Sequence, residues 1–472
     1  MSDDFRRVGR RRVLAAMGAA GFGGLAGCAS PEGGVDDPDH EFELTAAVET
    51  VEVGDTETER WLYDGSSPGP ELRVTEGDSV RVVLRNELPE PTTIHHHGMT
   101  LYDANDADGV PGITQEPVEP GEEFAYEFEA YPSGTHWYHS HVGLQLDRGL
   151  YGPLIVEPDD PAVEYDREYT LLFEDFLADD PAVEFAGEGT PIAPSYDGFL
   201  INGRPPSDPE SMDVTAGERV RLRLINAAAV TNFSVYLSEH PLTVTHTDGP
   251  AVEPHTVDSI SLWMGERYDA VVEADTPGVW RLGAVPFAEA DTPVTDSAEA
   301  ELRYAEADPT AEATDSGPPG ERRLEIGDLR SLELEAYESP EADRRLQFDL
   351  GLDGTQRAWT IGDEPYPDAE TISLEEGDHT SVVVSNNTPM PHPIHLHGHH
   401  FRVGDVIKDT VAVPNDGQRA LSFAADNPGE WLFHCHHLYH HASGMTRLFN
   451  YADADSDSET GSTTGPAELG GN

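Results

Sequence analysis

Cysteine and lysine are almost missing from this sequence of 472 residues, which holds two cysteines, Cys28 and Cys435, and a single lysine, Lys408. Two cysteines exclude a scaffold built on disulfides. Basic residues of any kind are scarce: 28 Lys+Arg stand against 90 Asp+Glu, a formal net charge of -62. Such a chain presents no basic face to phosphate, so nucleic acid is excluded as a partner. Beyond the N-terminus no run is apolar enough to span a membrane, and no long amphipathic helix can be traced. What is present is 37% hydrophobic residues, 8% aromatics and six Trp. That suffices for several cores and excludes a wholly disordered acidic chain. The length corresponds to about three domains. The acids are spread along the chain rather than gathered in a tail, the pattern expected of a protein working in strong salt, where self-repulsion is screened.

The N-terminus reads as an address. Arg6, Arg7, Arg10, Arg11 and Arg12 precede the uncharged stretch Val13 to Gly27, rich in Ala and Gly. This is too short for a stable span and fits an export signal of the twin-arginine type. Leu25-Ala26-Gly27-Cys28 has the form of a lipobox, so residues 1–27 are expected to be removed and Cys28 lipidated. The mature protein is then expected outside the cell, extracellular or on the cell surface, touching a membrane only through that anchor. Cys435 is left as the free thiol to be explained.

One pattern occurs three times: Val74 to Asn86, Val214 to Asn226 and Leu374 to Asn386, each a Gly-containing turn running into alternating β-branched residues. A Gly near a Trp follows each, at Gly134/Trp137, Gly278/Trp280 and Gly429/Trp431. Three all-β sandwich domains are the economical reading, at 42–158, 165–305 and 322–452. Residues 28–41 and 305–322 read as linkers, and 453–472 as a disordered acidic tail.

The histidines follow the repeat. His95 and His97 lie nine and eleven residues after Asn86, and His395 and His397 lie nine and eleven after Asn386. His139 and His141 follow Gly134 by five and seven, as His434 and His436 follow Gly429. The same offsets in the middle repeat give Val235, Leu237, Gly283 and Val285. Residues i and i+2 of a strand share a face, so each His-x-His is a two-pronged ligand. Eight imidazoles are too many for one ion and imply a metal cluster between the first and third domains, with Cu, Zn, Fe or Ni suited to imidazole. Cys435, between His434 and His436, points to the opposite face and should serve a separate site. With His392, His440 and Met445 it gives the ligand set of a blue copper centre. The counterparts in the first domain, Thr92, Ser140, Gln145 and Leu150, cannot make that site. Most of the remaining histidines, among them His40, His96, His246, His255, His399, His437 and His441, are expected to be ordinary hydrogen-bonded side chains. Asn232 and Asn386 open possible glycosylation sequons.

Four segments, His95-His-His-Gly98, His136-Trp-Tyr-His-Ser-His141, His392-Pro-Ile-His-Leu-His-Gly398 and His434-Cys-His-His-Leu-Tyr-His-His-Ala-Ser-Gly-Met445, resemble those of the multicopper oxidases of laccase-like type. The likeness spans roughly residues 42–452, including Leu200-Ile-Asn-Gly203 and Gly265-Glu-Arg-Tyr-Asp269 of the middle domain. The resemblance implies three cupredoxin-like Greek-key β-sandwich domains and four coppers per chain. It implies a type 1 copper on His392, Cys435 and His440 with Met445 axial, and a type 2 copper on His95 and His395. One type 3 copper is implied on His97, His139 and His436, the other on His141, His397 and His434. By the same likeness a small aromatic or metal-ion donor gives electrons one at a time near His440. They pass along Cys435 to the cluster, where O2 is reduced to water. Asp108 is implied as a proton relay. His441 departs from the family, where several bacterial relatives carry Glu, and His96 stands where many carry Trp. The expected function is a laccase-type oxidase of phenols or aromatic amines. The alternatives are a cuprous oxidase for copper tolerance, disfavoured by seven unclustered Met, and a copper-free envelope scaffold, disfavoured by the complete ligand set.

Overall fold

The computed structural model describes residues 37–186, 190–287, 297–337 and 342–451. The export signal, the lipobox with Cys28 and the tail from 453 lie outside the described residues. Helix among the described residues is confined to single turns, of which Gln145–Arg148 and Leu438–His441 are α-helical.

The three copies of the β-branched run become the strands Ser79–Asn86, Arg219–Asn226 and His379–Asn386. Each pairs in parallel with an earlier strand: His40–Val53, Arg167–Phe176 and Arg344–Asp353. Each sandwich closes with a second parallel pair among antiparallel neighbours. These crossovers make each repeat a Greek key of two sheets. The first has four strands in each sheet, and the second and third have six and five. The chain is thus all-β, with three cupredoxin-like sandwiches.

The repeated asparagine explains why the offsets recur. The Asn86 side-chain amide donates to the carbonyls of Glu90 and Val118, and its oxygen accepts from the Leu88 amide. Asn226 does the same with Thr231, Leu262 and Ala228, and Asn386 with Met390, Val413 and Thr388. Each Asn closes the corner after its strand and fixes where the next one starts, satisfying backbone groups that burial would orphan. Asn386 is 1% exposed and fully engaged, which corrects the sequon reading there.

Two domain limits differ from expectation. The first strand begins at His40, so the end of the expected 28–41 linker is already paired with Val80 and Arg81. The segment 322–331, expected in the third domain, packs on the second. Leu324 and Leu329 are buried in its core, and Arg322 pairs with Asp258. The apolar pair decides this, since neither could stay in water cheaply. The cores of the first and third sandwiches join in one apolar cluster, whereas the middle sandwich keeps its own.

Candidate metal centre

Strand register brings the histidines together. In the first sandwich His95–His97 pairs antiparallel with Gly134–His139, placing His95 opposite His139. In the third, His392–Leu396 pairs with Glu430–Cys435, placing His395 opposite His434 and Ile394 opposite Cys435. His95 and His97 share one face. His96 turns to the other, against Tyr126 and Phe128, with Nδ1 on the Ala107 carbonyl.

His95, His97, His139, His141, His395, His397, His434 and His436 converge where the first and third sandwiches meet. Their ligand atoms form the triads His95/His97/His395, His97/His139/His436 and His141/His397/His434. Seven of the eight are buried and His141 is half-buried. The hydrogen bonds test whether metal fits. Nδ1–H of His95, His139, His395 and His434 donates to the carbonyls of Asp108, Ser140, Asp409 and Cys435. That fixes the tautomer and leaves Nε2 as a bare lone pair. The Nε2 atoms of His95, His139 and His395 are buried without a partner, as are Nδ1 of His97 and both nitrogens of His436. His397 Nε2 and His434 Nε2 face each other at 3.0 Å, while His397 Nδ1 is taken by Asp108 at 2.9 Å. Buried lone pairs aimed at one another are costly unless a cation lies between them. Burial, reinforced by neighbouring imidazoles, holds His97, His139, His141, His397, His434 and His436 well below the usual histidine value. The rings are therefore neutral and ready to bind metal.

The second constellation lies inside the third sandwich. His392 Nδ1 and His440 Nδ1 are 3.1 Å apart, and Cys435 Sγ is 3.6 and 3.7 Å from them. His392 is held from behind by the Thr388 hydroxyl at 2.7 Å. Met445 is fully buried in the same core, and its carbonyl accepts the Cys435 amide. Burial pushes the Cys435 thiol up, which a bound metal would reverse by taking the thiolate. An N2S set of this size suits copper.

Buried groups lie behind these candidate ligands. Asp108, fully buried, accepts from His397 and lies 3.2 Å from His95 Nδ1. Asp409 lies 3.3 Å from His97 Nε2 and 3.5 Å from His395 Nδ1, and the Thr410 hydroxyl touches both rings. Arg267 of the middle sandwich grips Asp409 at 2.7 and 2.5 Å. Burial alone would raise the Asp409 carboxyl, but the Arg267 charge and hydrogen bonds hold it well below the usual range. Lys408, the sole lysine, is fully buried between Asp248, Glu266 and the Thr247 hydroxyl. Its scarcity in the sequence was visible and its partners were not, since they lie about 150 residues away. Asp409 and Thr410 carried no local signal, and Arg267 stood in the Gly265–Asp269 motif with no role assigned to it.

Two of the remaining histidines are more than ordinary. The His437 ring stacks on His440 at 3.6 Å, and His441 lies 4.5 Å from the His434 ring and 5.0 Å from His141, with Nδ1 on the Thr446 hydroxyl. His440 and His437 floor a cleft of about 480 Å³ walled by Pro191, Ile192, Leu352, Trp359 and Met390.

Family models described as multicopper oxidase match residues 45–161, 167–307 and 340–455. The chain is 33% identical over 95% of its length to the multicopper oxidase MmcO of Mycobacterium tuberculosis, covering 97% of that protein. It is 26% identical to a copper resistance protein A homolog of Pseudomonas syringae pv. tomato, over 93% of this chain and 98% of the other. The laccase of Botrytis aclada superposes with a TM-score of 0.74 at 25% identity, over 88% of each chain.

Proposed function

The chain belongs to the multicopper oxidase family, and from that premise we propose a laccase-like oxidase of small phenols or aromatic amines. The family binds four coppers, which would supply one-electron oxidation of a donor coupled to the reduction of O2. In this reading His392, Cys435, His440 and Met445 hold the type 1 ion, and His95 with His395 the type 2 ion. His97, His139 and His436 hold one type 3 ion, and His141, His397 and His434 the other.

The cleft carries the donor class. Among the described residues its lining contains no carboxylate, and its walls are mostly apolar, with Pro191, Ile192, Leu352, Trp359 and Met390 beside the polar Thr190 and Asn387. An aromatic ring would be desolvated there at little cost, against Trp359 and beside the His440 edge. Cys435 sits between His434 and His436 in sequence, so a few covalent bonds link the two ligand sets. Asp108, fully buried and in contact with two cluster imidazoles, is the acid–base group placed to relay protons towards oxygen.

One observation favours a second reading, a cuprous oxidase. Met390 at the mouth of the cleft and His437 on its floor are soft or borderline ligands for Cu(I). Oxygen uptake by the copper-loaded protein in strong salt separates the two. Faster uptake with a methoxyphenol than with cuprous ion supports the laccase reading, and uptake with cuprous ion alone moves the role to copper defence. We further propose export by the twin-arginine route with a lipid on Cys28, tested by the mass of the mature N-terminus.

A further inference from the structure

We propose that the middle sandwich, which supplies no metal ligand, is nevertheless part of the interdomain centre. Its Arg267 is a positioning residue that clamps Asp409 and, through Asp409, orients His97 and His395. The inference rests on the ligand assignment proposed above.

The clearest support is a near-symmetry and the place where it breaks. The Asp108 carbonyl holds His95 Nδ1 at 2.8 Å, and the Asp409 carbonyl holds His395 Nδ1 at 2.9 Å. Each carboxylate then reaches across the domain boundary, Asp108 to His397 and Asp409 to His97. The two acids are counterparts, one in each ligand-bearing sandwich. Asp108 is held by imidazoles, whereas Asp409 is also gripped by both terminal nitrogens of a guanidinium. A bidentate fork fixes the carboxylate plane as well as its distance. The plane of Asp409 decides where two rings point, and those rings are in stacked contact at 3.8 Å.

Arg267 is itself held on every side. Its Nε donates to the Thr135 carbonyl at 3.1 Å, its Nη1 to the Gly265 carbonyl at 3.0 Å, and its backbone amide to Asp248 at 2.9 Å. It is fully buried. Two glycines allow close approach here, one beside Arg267 and one beside His436. A Cβ on Gly98, at the end of the first histidine motif, would lie 2.4 Å from Arg267 Nη2 and 3.0 Å from Asp409 Oδ2. A Cβ on Gly265 would lie 2.7 Å from the His436 ring, so the middle domain's backbone touches the centre directly. The Gly265-Glu-Arg267 run thus meets one ligand by backbone contact and two through Asp409.

The test compares Arg267→Gln and Asp409→Asn with Arg221→Gln. Arg221 is a buried arginine of the same sandwich whose partner at 2.5 Å, Asp269, also accepts from the Thr135 hydroxyl, so it shares Arg267's surroundings without the Asp409 contact. Copper affinity is read by chelator competition at the interdomain set and at the blue site separately, together with the paramagnetic resonance of the type 2 ion. Arg267→Gln and Asp409→Asn should each weaken interdomain binding about 10- to 100-fold and alter the type 2 spectrum, with blue absorption retained. Arg267→Lys, which keeps the charge but loses the fork, should restore part of the affinity and not the parent spectrum. Arg221→Gln should show no selective loss. Equal losses at both sites, the same selective loss in Arg221→Gln, or parent affinity in Arg267→Gln would each overturn the proposal. If Arg267→Gln does not fold, the double variant with Asp409→Asn removes both charges together and carries the same readout. A parent protein that fails to load the interdomain ions would sink the ligand assignment instead.

Discussion

The first and third sandwiches carry the same pocket at the same offsets and fill it in opposite ways. In the third, His392, Cys435 and His440 turn two nitrogens and a sulfur towards one another at 3.1, 3.6 and 3.7 Å, a donor set that suits a soft cation. In the first, the Thr92 and Ser140 hydroxyls both donate to Gln145 Oε1 at 2.7 Å, and the Gln145 amide donates to the Pro91 carbonyl at 2.8 Å. One pocket is complete only with a cation, and the other is satisfied by its own hydrogen bonds. Backbone geometry is therefore not what makes a metal site here. The same strands and the same corner asparagine support either outcome, and the side-chain chemistry decides.

The comparison can be broken most severely at Cys435. Cys435→Ser removes the thiolate and should abolish blue colour and lower donor oxidation by at least about 100-fold while leaving the fold intact, checked by absorption, oxygen uptake and circular dichroism. If that variant still oxidised phenols at the parent rate, the electron path would be refuted. Next in size is pH. Each sandwich buries a histidine outside the proposed ligand set, His96, His246 and His399, and burial lowers each from 6.5 to about 4. Between those values the unfolded chain binds more protons than the native one. Stability of the copper-free protein should thus fall as pH drops through that window, by about 3 kcal/mol per group over its full width. Denaturant midpoints at several pH values in strong salt check this, and a flat profile would contradict it. Asp108→Asn should slow oxygen turnover about 100-fold, while anaerobic bleaching of the blue band by donor keeps its rate. Equal slowing of both steps would deny Asp108 a role specific to oxygen reduction. The smallest effect is expected at Gln145→Leu, which strands two hydroxyls in the first sandwich. It should cost about 1–3 kcal/mol in unfolding experiments with copper content unchanged.

The candidate ligands were legible because the first and third domains repeat their offsets and a strand alternates its faces. Asn86 and Asn386 announced where His95 and His395 would fall, and Cys435 between two histidines announced a second face. Of the groups behind these residues only Asp108 was given a role from the sequence, and the partners of the others were not legible. Arg267 meets Asp409 across 142 residues and Thr410 meets His97 across 313, contacts set by how sandwiches dock rather than by any local period. The segment 322–331 was misplaced for a related reason. Its Pro- and Gly-rich approach looks like a linker, and only the buried Leu324 and Leu329 reveal which core claims it. His437 looked like surplus in a histidine-rich tract and His441 stood out only as a departure from the family, yet they lie against His440 and His434 because the single turn Leu438–His441 folds the chain back over both sites.

The central claim is that one copper belongs to the pocket of the third sandwich and the others to the seam between the first and third. Counting copper in the loaded parent and in Cys435→Ser tests it most directly. The family complement is four in the parent, and the account predicts the loss of a single ion, the blue one, with the type 2 resonance retained. Loss of all copper from Cys435→Ser, or no loss at all, would contradict it.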